Sequence, residues 1–324
     1  MLRLLIAGVF LLTGTRQNHD HIGSIERFSP QINKLIKPDA KLEIIAEGYE
    51  WSEGPVWVEK EKMLLFSDIP RNSIYKWTEK GGAELYLKPA GYTGSEERGG
   101  ETGSNGLALT KDGKLVLCQH GDRRIAMMDA PLNAPQPRFI SLADNYKGKK
   151  FNSPNDLVIR RNGDIFFTDP PYGLEKNMAD QTKELSFQGV YKLSKNGDLK
   201  LLLDSIPRPN GIALTPDEKT LIVANSDGKT TRWHAYNFGR NDSLINHRIY
   251  GAPYTEKGGA DGLKIDSKGN VFATGPGGVW IFDKNGKTLG RLKIPAATSN
   301  CALSKDEKTL YITADMYVLR LKMR

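Results

Sequence analysis

The sequence predicts an all-β protein, a single six-bladed β-propeller, from three observations. A short unit recurs six times, each copy has the strand–turn–strand pattern of a hairpin, and no segment shows a convincing helical period of apolar residues. With 39% hydrophobic and 26% charged residues, the chain has the composition of a globular protein with a substantial core.

Each copy of the unit begins with a carboxylate or carboxamide residue. The six starts are Glu53, Asn105, Asn155, Asn210, Asp261 and Asn300. They are separated by 52, 50, 55, 51 and 39 residues, close to the length of a four-stranded propeller blade. The spacing therefore predicts one blade for each copy.

The residues after each start predict hairpin strands. In the second copy, apolar residues 107–109 and 115–118 flank the polar turn 110–114, whose Asp and Gly supply the local hydrogen bonds and positive φ of a tight turn. Further strands are predicted at 73–77, 189–193, 199–203 and 278–282. Residues 317–321 are predicted to share the closing blade with a strand that precedes Glu53, which removes an exposed sheet edge.

An export signal is predicted at the N-terminus. Arg3 is followed by the apolar run 4–12, which is too short to span a bilayer stably, and then by polar residues. Thr15 stands where a lipoprotein signal carries its lipidated cysteine, which argues against a lipid anchor. We assign residues 1–25 to the export signal and 26–324 to the propeller, and expect a periplasmic protein without a stable membrane span.

The basic balance of the chain does not predict a nucleic-acid partner. The formal net charge is +8, but basic residues are interspersed with acidic ones rather than gathered into a stripe. A solvated basic surface accounts for this pattern, and nothing in it favours a particular oligomeric state.

The repeat starts predict a metal site in the central channel. The innermost strands of a propeller line its channel, so equivalent positions of all blades converge and the six starts face one another. Ca²⁺ accepts carboxylate and carboxamide oxygens in a flexible shell, whereas zinc prefers histidine or thiolate. Ca²⁺ is the first choice, with Mg²⁺, Mn²⁺ and Zn²⁺ as alternatives. The simpler interpretation is that these residues cap turns at strand entry.

Four segments of the chain resemble the SMP-30/gluconolactonase/luciferin-regenerating-enzyme-like family, which is related to the diisopropylfluorophosphatase and paraoxonase propellers. They are EGPVW from Glu53, SPNDLV from Ser153, PNGIA from Pro209 and GADGL from Gly259. The resemblance covers about residues 45–320, and segments 118–124 and 168–173 are similar to the bacterial gluconolactonase subgroup.

The resemblance implies a calcium-dependent lactonase that converts an aldonolactone such as gluconolactone to the aldonic acid. The cation would polarise the lactone carbonyl, and an activated water would attack it. The implied metal ligands are Glu53, Asn155, Asn210 and Asp261. The predicted catalytic residues are Asp261 and His120, and the predicted substrate-binding residues are Asn105, Glu101, Asp169, Tyr172 and Asn225. Another ester or organophosphate hydrolase, or a non-catalytic sugar-binding propeller, remains an alternative.

Overall fold

The fold is a ring of antiparallel sheets. The computed structural model describes residues 20–251 and 258–324, and in them six sheets of four or five strands form the blades of a β-propeller. The all-β, six-bladed prediction is confirmed.

The blades follow one another along the chain. Two strands, β1 (Ser24–Arg27) and β2 (Leu42–Glu47), precede blade 1. Blade 1 contains β3 (Ser52–Val58), β4 (Met63–Asp68), β5 (Ser73–Thr78) and β6 (Gly82–Leu87). Blade 2 contains β7 (Ser104–Leu109), β8 (Leu115–Gln119), β9 (Arg124–Met128) and β10 (Phe139–Ala143). A small hairpin, β11 (Asn145–Tyr146) and β12 (Lys149–Lys150), leads to blade 3.

The second half of the chain repeats the pattern. Blade 3 contains β13 (Leu157–Ile159), β14 (Ile165–Asp169), β15 (Gly189–Leu193) and β16 (Leu199–Leu203). Blade 4 contains β17 (Pro209–Leu214), β18 (Thr220–Asn225), β19 (Arg232–Phe238) and β20 (Leu244–Tyr250). Blade 5 contains β21 (Leu263–Ile265), β22 (Val271–Gly275), β23 (Gly278–Phe282) and β24 (Thr288–Lys293), and blade 6 contains β25 (Thr298–Leu303), β26 (Thr309–Ala314) and β27 (Tyr317–Lys322). Short 3₁₀ helices occur at Pro30–Lys34, Asn177–Ala179 and Arg240–Asp242.

Burial changes systematically across each blade. The second strands, such as β4 and β18, are buried at every residue, because neighbouring blades cover both of their faces. The outermost strand β20 is exposed over most of its length. Apolar clusters fill the spaces between successive blades: Leu65 meets Leu117 between blades 1 and 2, and Phe166 lies with Val223 between blades 3 and 4.

The ring is closed by the N-terminal segment. Strand β2 pairs antiparallel with β27, as predicted, and completes blade 6. Strand β1 pairs with β24 and adds a fifth strand to blade 5. Ile32 and Ile36, in the segment that connects β1 to β2, are fully buried. His21, within the predicted export signal, forms an isolated β-bridge with Glu43. The rest of the predicted export signal, residues 1–19, lies outside the described residues.

The helices bear on the membrane prediction. Within the residues that the structure describes, no helix is long and apolar enough to cross a bilayer.

Candidate active site and cation centre

Five of the six repeat starts line one cavity of about 330 Å³ in the channel. Glu53 and Asn105 lie in the innermost strands β3 and β7, Asn210 lies in β17, and Asn155 and Asp261 lie just before β13 and β21. The structure therefore brings together residues that are far apart in sequence.

Glycine allows the inner strands to approach this closely. Gly54 follows Glu53 and has a φ of 53°, and a Cβ added to it would lie 2.0 Å from the backbone oxygen of Asn105 in the next blade. A Cβ on Gly211 would lie 2.2 Å from the backbone oxygen of Asp261. Only glycine accommodates both the positive φ and the close backbone contact at Gly54, which explains why a glycine follows the start residue here.

Side-chain hydroxyls of the second strands fix the positions of the start residues. Ser67 Oγ donates to the backbone oxygen of Asn105 at 2.9 Å, and Thr168 Oγ1 donates to that of Asn210 at 2.6 Å. Sequence reasoning missed these hydroxyls, although they occupy comparable places near the ends of β4 and β14.

Four oxygen atoms in the cavity are buried without a hydrogen-bond donor. They are the Oδ1 atoms of Asn105, Asn155, Asn210 and Asp261. Buried polar atoms are nearly always paired, and four unpaired oxygen acceptors from four blades at one place are a donor set that fits a hard cation. Asn300, the sixth start, differs because its Oδ1 accepts hydrogen bonds from Lys264 and from the Cys301 backbone.

The buried carboxylates of the channel lie close enough together to raise one another's pKa. Burial, and then the negative charge of Asp156, raise the pKa of Glu53 to about 8. Burial, Glu53 and Asp156 together raise the pKa of Asp261 well above its usual range. A bound cation would reverse both effects, because an opposite charge favours the ionised carboxylate. No group of three His, Cys, Asp or Glu side chains placed to hold a metal is found among residues 20–251 and 258–324, so the oxygen set depends on its amides.

The loop between β6 and β7 places the carboxylate side chain of Glu101 at the cavity wall. Glu101 lines the cavity, and its Oε2 lies 3.1 Å from Nδ1 of His120, without hydrogen-bond alignment. Arg98 of the same loop donates to the backbone oxygens of Gly121 and Gly173, which fastens the loop to the two neighbouring loops. His120 itself is fully buried and does not line the cavity.

Tyr172 lies at the wall, as predicted for a substrate-binding residue, and its hydroxyl hydrogen-bonds to Ser226. Trp51 and Ser226 also line the cavity, and sequence reasoning did not select either. Ser226 follows directly after Asn225, the residue that the sequence favoured.

Asp169 and Asn225, predicted to bind substrate, are not among the residues that line the cavity. Asp169 is fully buried and accepts hydrogen bonds from the backbone nitrogens of Asn152 and Ser153, both at 2.8 Å. Asn225 accepts from the backbone nitrogen of Arg208 at 3.2 Å. Both residues end the second strand of a blade and hold the segment that enters its inner strand. Burial raises the pKa of Asp169 to about 7.

We expect Asp169→Ala to lower the free energy of unfolding by about 2–4 kcal/mol, because two buried backbone N–H groups lose their acceptor. Urea denaturation measures the change, and Asp169→Asn, which keeps one acceptor oxygen, should lose less. An Ala variant as stable as the parent but with weaker substrate binding would contradict this structural role.

The chain matches a family model described as SMP-30/Gluconolactonase/LRE-like region over residues 51–315. It is 39% identical to the gluconolactonase of Zymomonas mobilis, over 97% of this chain and 91% of that protein. A gluconolactonase structure from Xanthomonas campestris aligns with a TM-score of 0.80 and 28% identity, covering 96% of this chain and 99% of that one. The calcium-binding protein regucalcin of Agrobacterium tumefaciens shares the fold, with a TM-score of 0.66 and 16% identity over 86% and 92% of the two chains.

Proposed function

The chain belongs to the SMP-30/gluconolactonase/LRE-like family, and from this premise we propose that it hydrolyses a sugar lactone of the gluconolactone type to the aldonic acid, with the help of a divalent cation. The observation that carries the proposal is the set of four unpaired oxygens in the channel cavity. The 39% identity to a protein named gluconolactonase, over nearly the whole of both chains, supports the choice of substrate class.

The cation is proposed to be Ca²⁺. Glu53, Asn155, Asn210 and Asp261 would hold it, since they present two carboxylates and two amide oxygens and no sulfur or imidazole. When bound, the cation supplies Lewis-acid polarisation of the lactone carbonyl and stabilisation of the oxyanion that develops there. Asn105 carries the same kind of unpaired oxygen and is proposed to orient the substrate.

The walls of the cavity suit a small polyhydroxylated ring. Its volume of about 330 Å³ is at the small end of the range for small-molecule sites. Tyr172, Ser226 and Trp51 line the cavity, and the hydroxyls of Tyr172 and Ser226 are hydrogen-bonded to each other. We propose that the hydroxyls bind the sugar hydroxyl groups and that the indole covers an apolar face of the ring.

Glu101 is proposed to be the general base. Asp261 faces the same cavity, but a carboxylate that binds a cation is a weak base because its pKa is depressed. Glu101 would take a proton from the attacking water as the new C–O bond forms, and return it to the ring oxygen as the old C–O bond breaks. His120 would act through Glu101 as a positioning residue, since its Nδ1 lies 3.1 Å from the Glu101 carboxylate.

We expect the hydrolysis of glucono-1,5-lactone to require the cation. Proton release by purified protein should exceed the spontaneous rate with calcium present, fall to that rate after chelation, and return when calcium is restored. A chelator-resistant rate would overturn the cation role. Turnover of a phosphoester with none of any lactone would move the function to the organophosphate hydrolases, and binding of sugars without turnover would leave a sugar-binding propeller.

A further inference from the structure

One lysine reaches into the acidic channel. Lys264 lies in β21, the innermost strand of blade 5, and its Nζ donates to Asn300 Oδ1 at 3.2 Å and to the backbone oxygen of Leu263 at 3.1 Å. The same Nζ lies 4.0 Å from Oδ2 of Asp156. Its side chain is 29% exposed, so the ammonium group is only partly screened by water.

Asn300 connects this lysine to the proposed cation ligands. Its Nδ2 donates to Glu53 Oε2 at 3.2 Å and is 3.4 Å from Asp156 Oδ2, while its Oδ1 faces Lys264. The lysine therefore fixes the orientation of the amide, with the oxygen turned to Lys264 and the NH₂ group turned to the carboxylates. A single amide separates the ammonium group from Glu53.

The formal charges of the buried channel groups sum to a net negative charge that a divalent cation would neutralise. Glu53, Asp156 and Asp261 bring three negative charges, and Lys264 brings one positive charge, so two negative charges remain. Glu101 at the cavity wall is a fourth carboxylate and also acts on Asp261, but its side chain is 36% exposed, so water screens its charge more than it screens the buried groups. A divalent cation balances the remaining two charges, whereas a trivalent cation would leave an excess positive charge in a largely buried place.

We propose that Lys264 sets the ion charge that the channel accepts, favouring a divalent over a trivalent cation of similar size. This inference rests on the cation site proposed above, but not on the identity of the substrate. The repulsion between Lys264 and a bound ion grows with the charge of the ion, so removing the lysine favours the trivalent ion more. Because Lys264 is not among the residues that line the cavity in which substrate is proposed to bind, it is a selectivity residue rather than a catalytic one.

The test compares Ca²⁺ and Tb³⁺ binding to the purified, metal-stripped full chain. Calorimetry gives the Ca²⁺ affinity, and Tb³⁺ luminescence sensitised by Trp51 at the cavity wall reports the trivalent ion. We expect Lys264→Met to raise the ratio of Tb³⁺ to Ca²⁺ affinity by at least about tenfold. Lys264→Gln, which keeps a hydrogen-bond donor, should show the same direction if the Met variant folds poorly.

Two matched variants complete the design. Lys264→Arg keeps the charge and should keep the wild-type ratio, and Lys268→Met removes an exposed lysine from a turn of the same blade and should also leave it unchanged. A wild-type ratio of Tb³⁺ to Ca²⁺ affinity in both Lys264→Met and Lys264→Gln would overturn the role of Lys264 while leaving the proposed cation site intact. A wild-type protein that binds neither ion would overturn both. A shifted ratio in a protein that hydrolyses no lactone would support the inference and reject the lactonase.

Discussion

Asp261→Asn is expected to reduce lactone hydrolysis by about 10²–10³-fold or more, and to weaken cation binding, because it removes one of the two ligand charges of the cavity. The same change should leave the folded ring intact, since asparagine has nearly the shape of aspartate. Initial rates with saturating lactone, and calorimetric titration with calcium, measure the two effects separately.

In the cation-free protein, Asp261→Asn should maintain or raise thermal stability even though it lowers activity. Asp261 is held near Glu53 and Asp156, and the burial that raises its pKa also makes its charged form costly. Removing that charge relieves the repulsion, so thermal unfolding of the chelated Asn variant should occur at a temperature no lower than that of the parent. Functional sites often carry such a cost in stability.

Asp283→Asn is the matched control. Asp283 lies in the turn between β23 and β24 of the same blade, and its carboxylate accepts from the backbone nitrogens of Asn285 and Lys287. The substitution changes the charge equally but does not alter the cavity. Full activity and calcium affinity in the Asp261 variant would reject the proposed site.

The second large effect is expected for Glu101→Gln. Glutamine cannot accept the proton of the attacking water, so kcat should fall by about 10²–10⁴-fold while calcium affinity changes little. Stopped-flow or pH-indicator assays, with calorimetry on the same samples, separate a lost base from a lost cation.

Glu97→Gln provides the comparison for this variant, because Glu97 is an exposed acid of the same loop. Its activity should equal that of the parent. His120→Gln should lower kcat less than Glu101→Gln does, since His120 is proposed only to position Glu101. A His120 variant as inactive as the Glu101 variant would move the base to the histidine.

The repeat made the propeller and the convergence of its start residues predictable. Every start is followed by the same strand–turn–strand pattern. The symmetry of the ring then places Glu53 and Asn210 in one channel, although 157 positions separate them in the chain. The closing pair of β2 with β27 was predictable for the same reason, because a ring must pair its last strand with something.

The specificity loops were not predictable in this way, because they do not repeat. An Asx residue at the end of a second strand looks alike in sequence whether it faces the cavity or caps the backbone. Asn225 caps the backbone, and Ser226, one position on, faces the cavity. Lys264 was passed over because an isolated lysine in a short strand has the pattern of a solvated surface. Strand β1 was missed because two of its four residues, Ser24 and Ile25, were assigned to the export signal.

The pairing of β1 and β2 with the last two blades has a consequence for the order of synthesis. Strand β1 needs β24, and β2 needs β27, so the first strands to be made are the last to find their partners. A nascent chain carries unpaired edges at its leading end until nearly every residue has been added. Ring completion is therefore a property of the finished polypeptide, and a chain shortened before β27 loses the partner of a strand made at the very beginning.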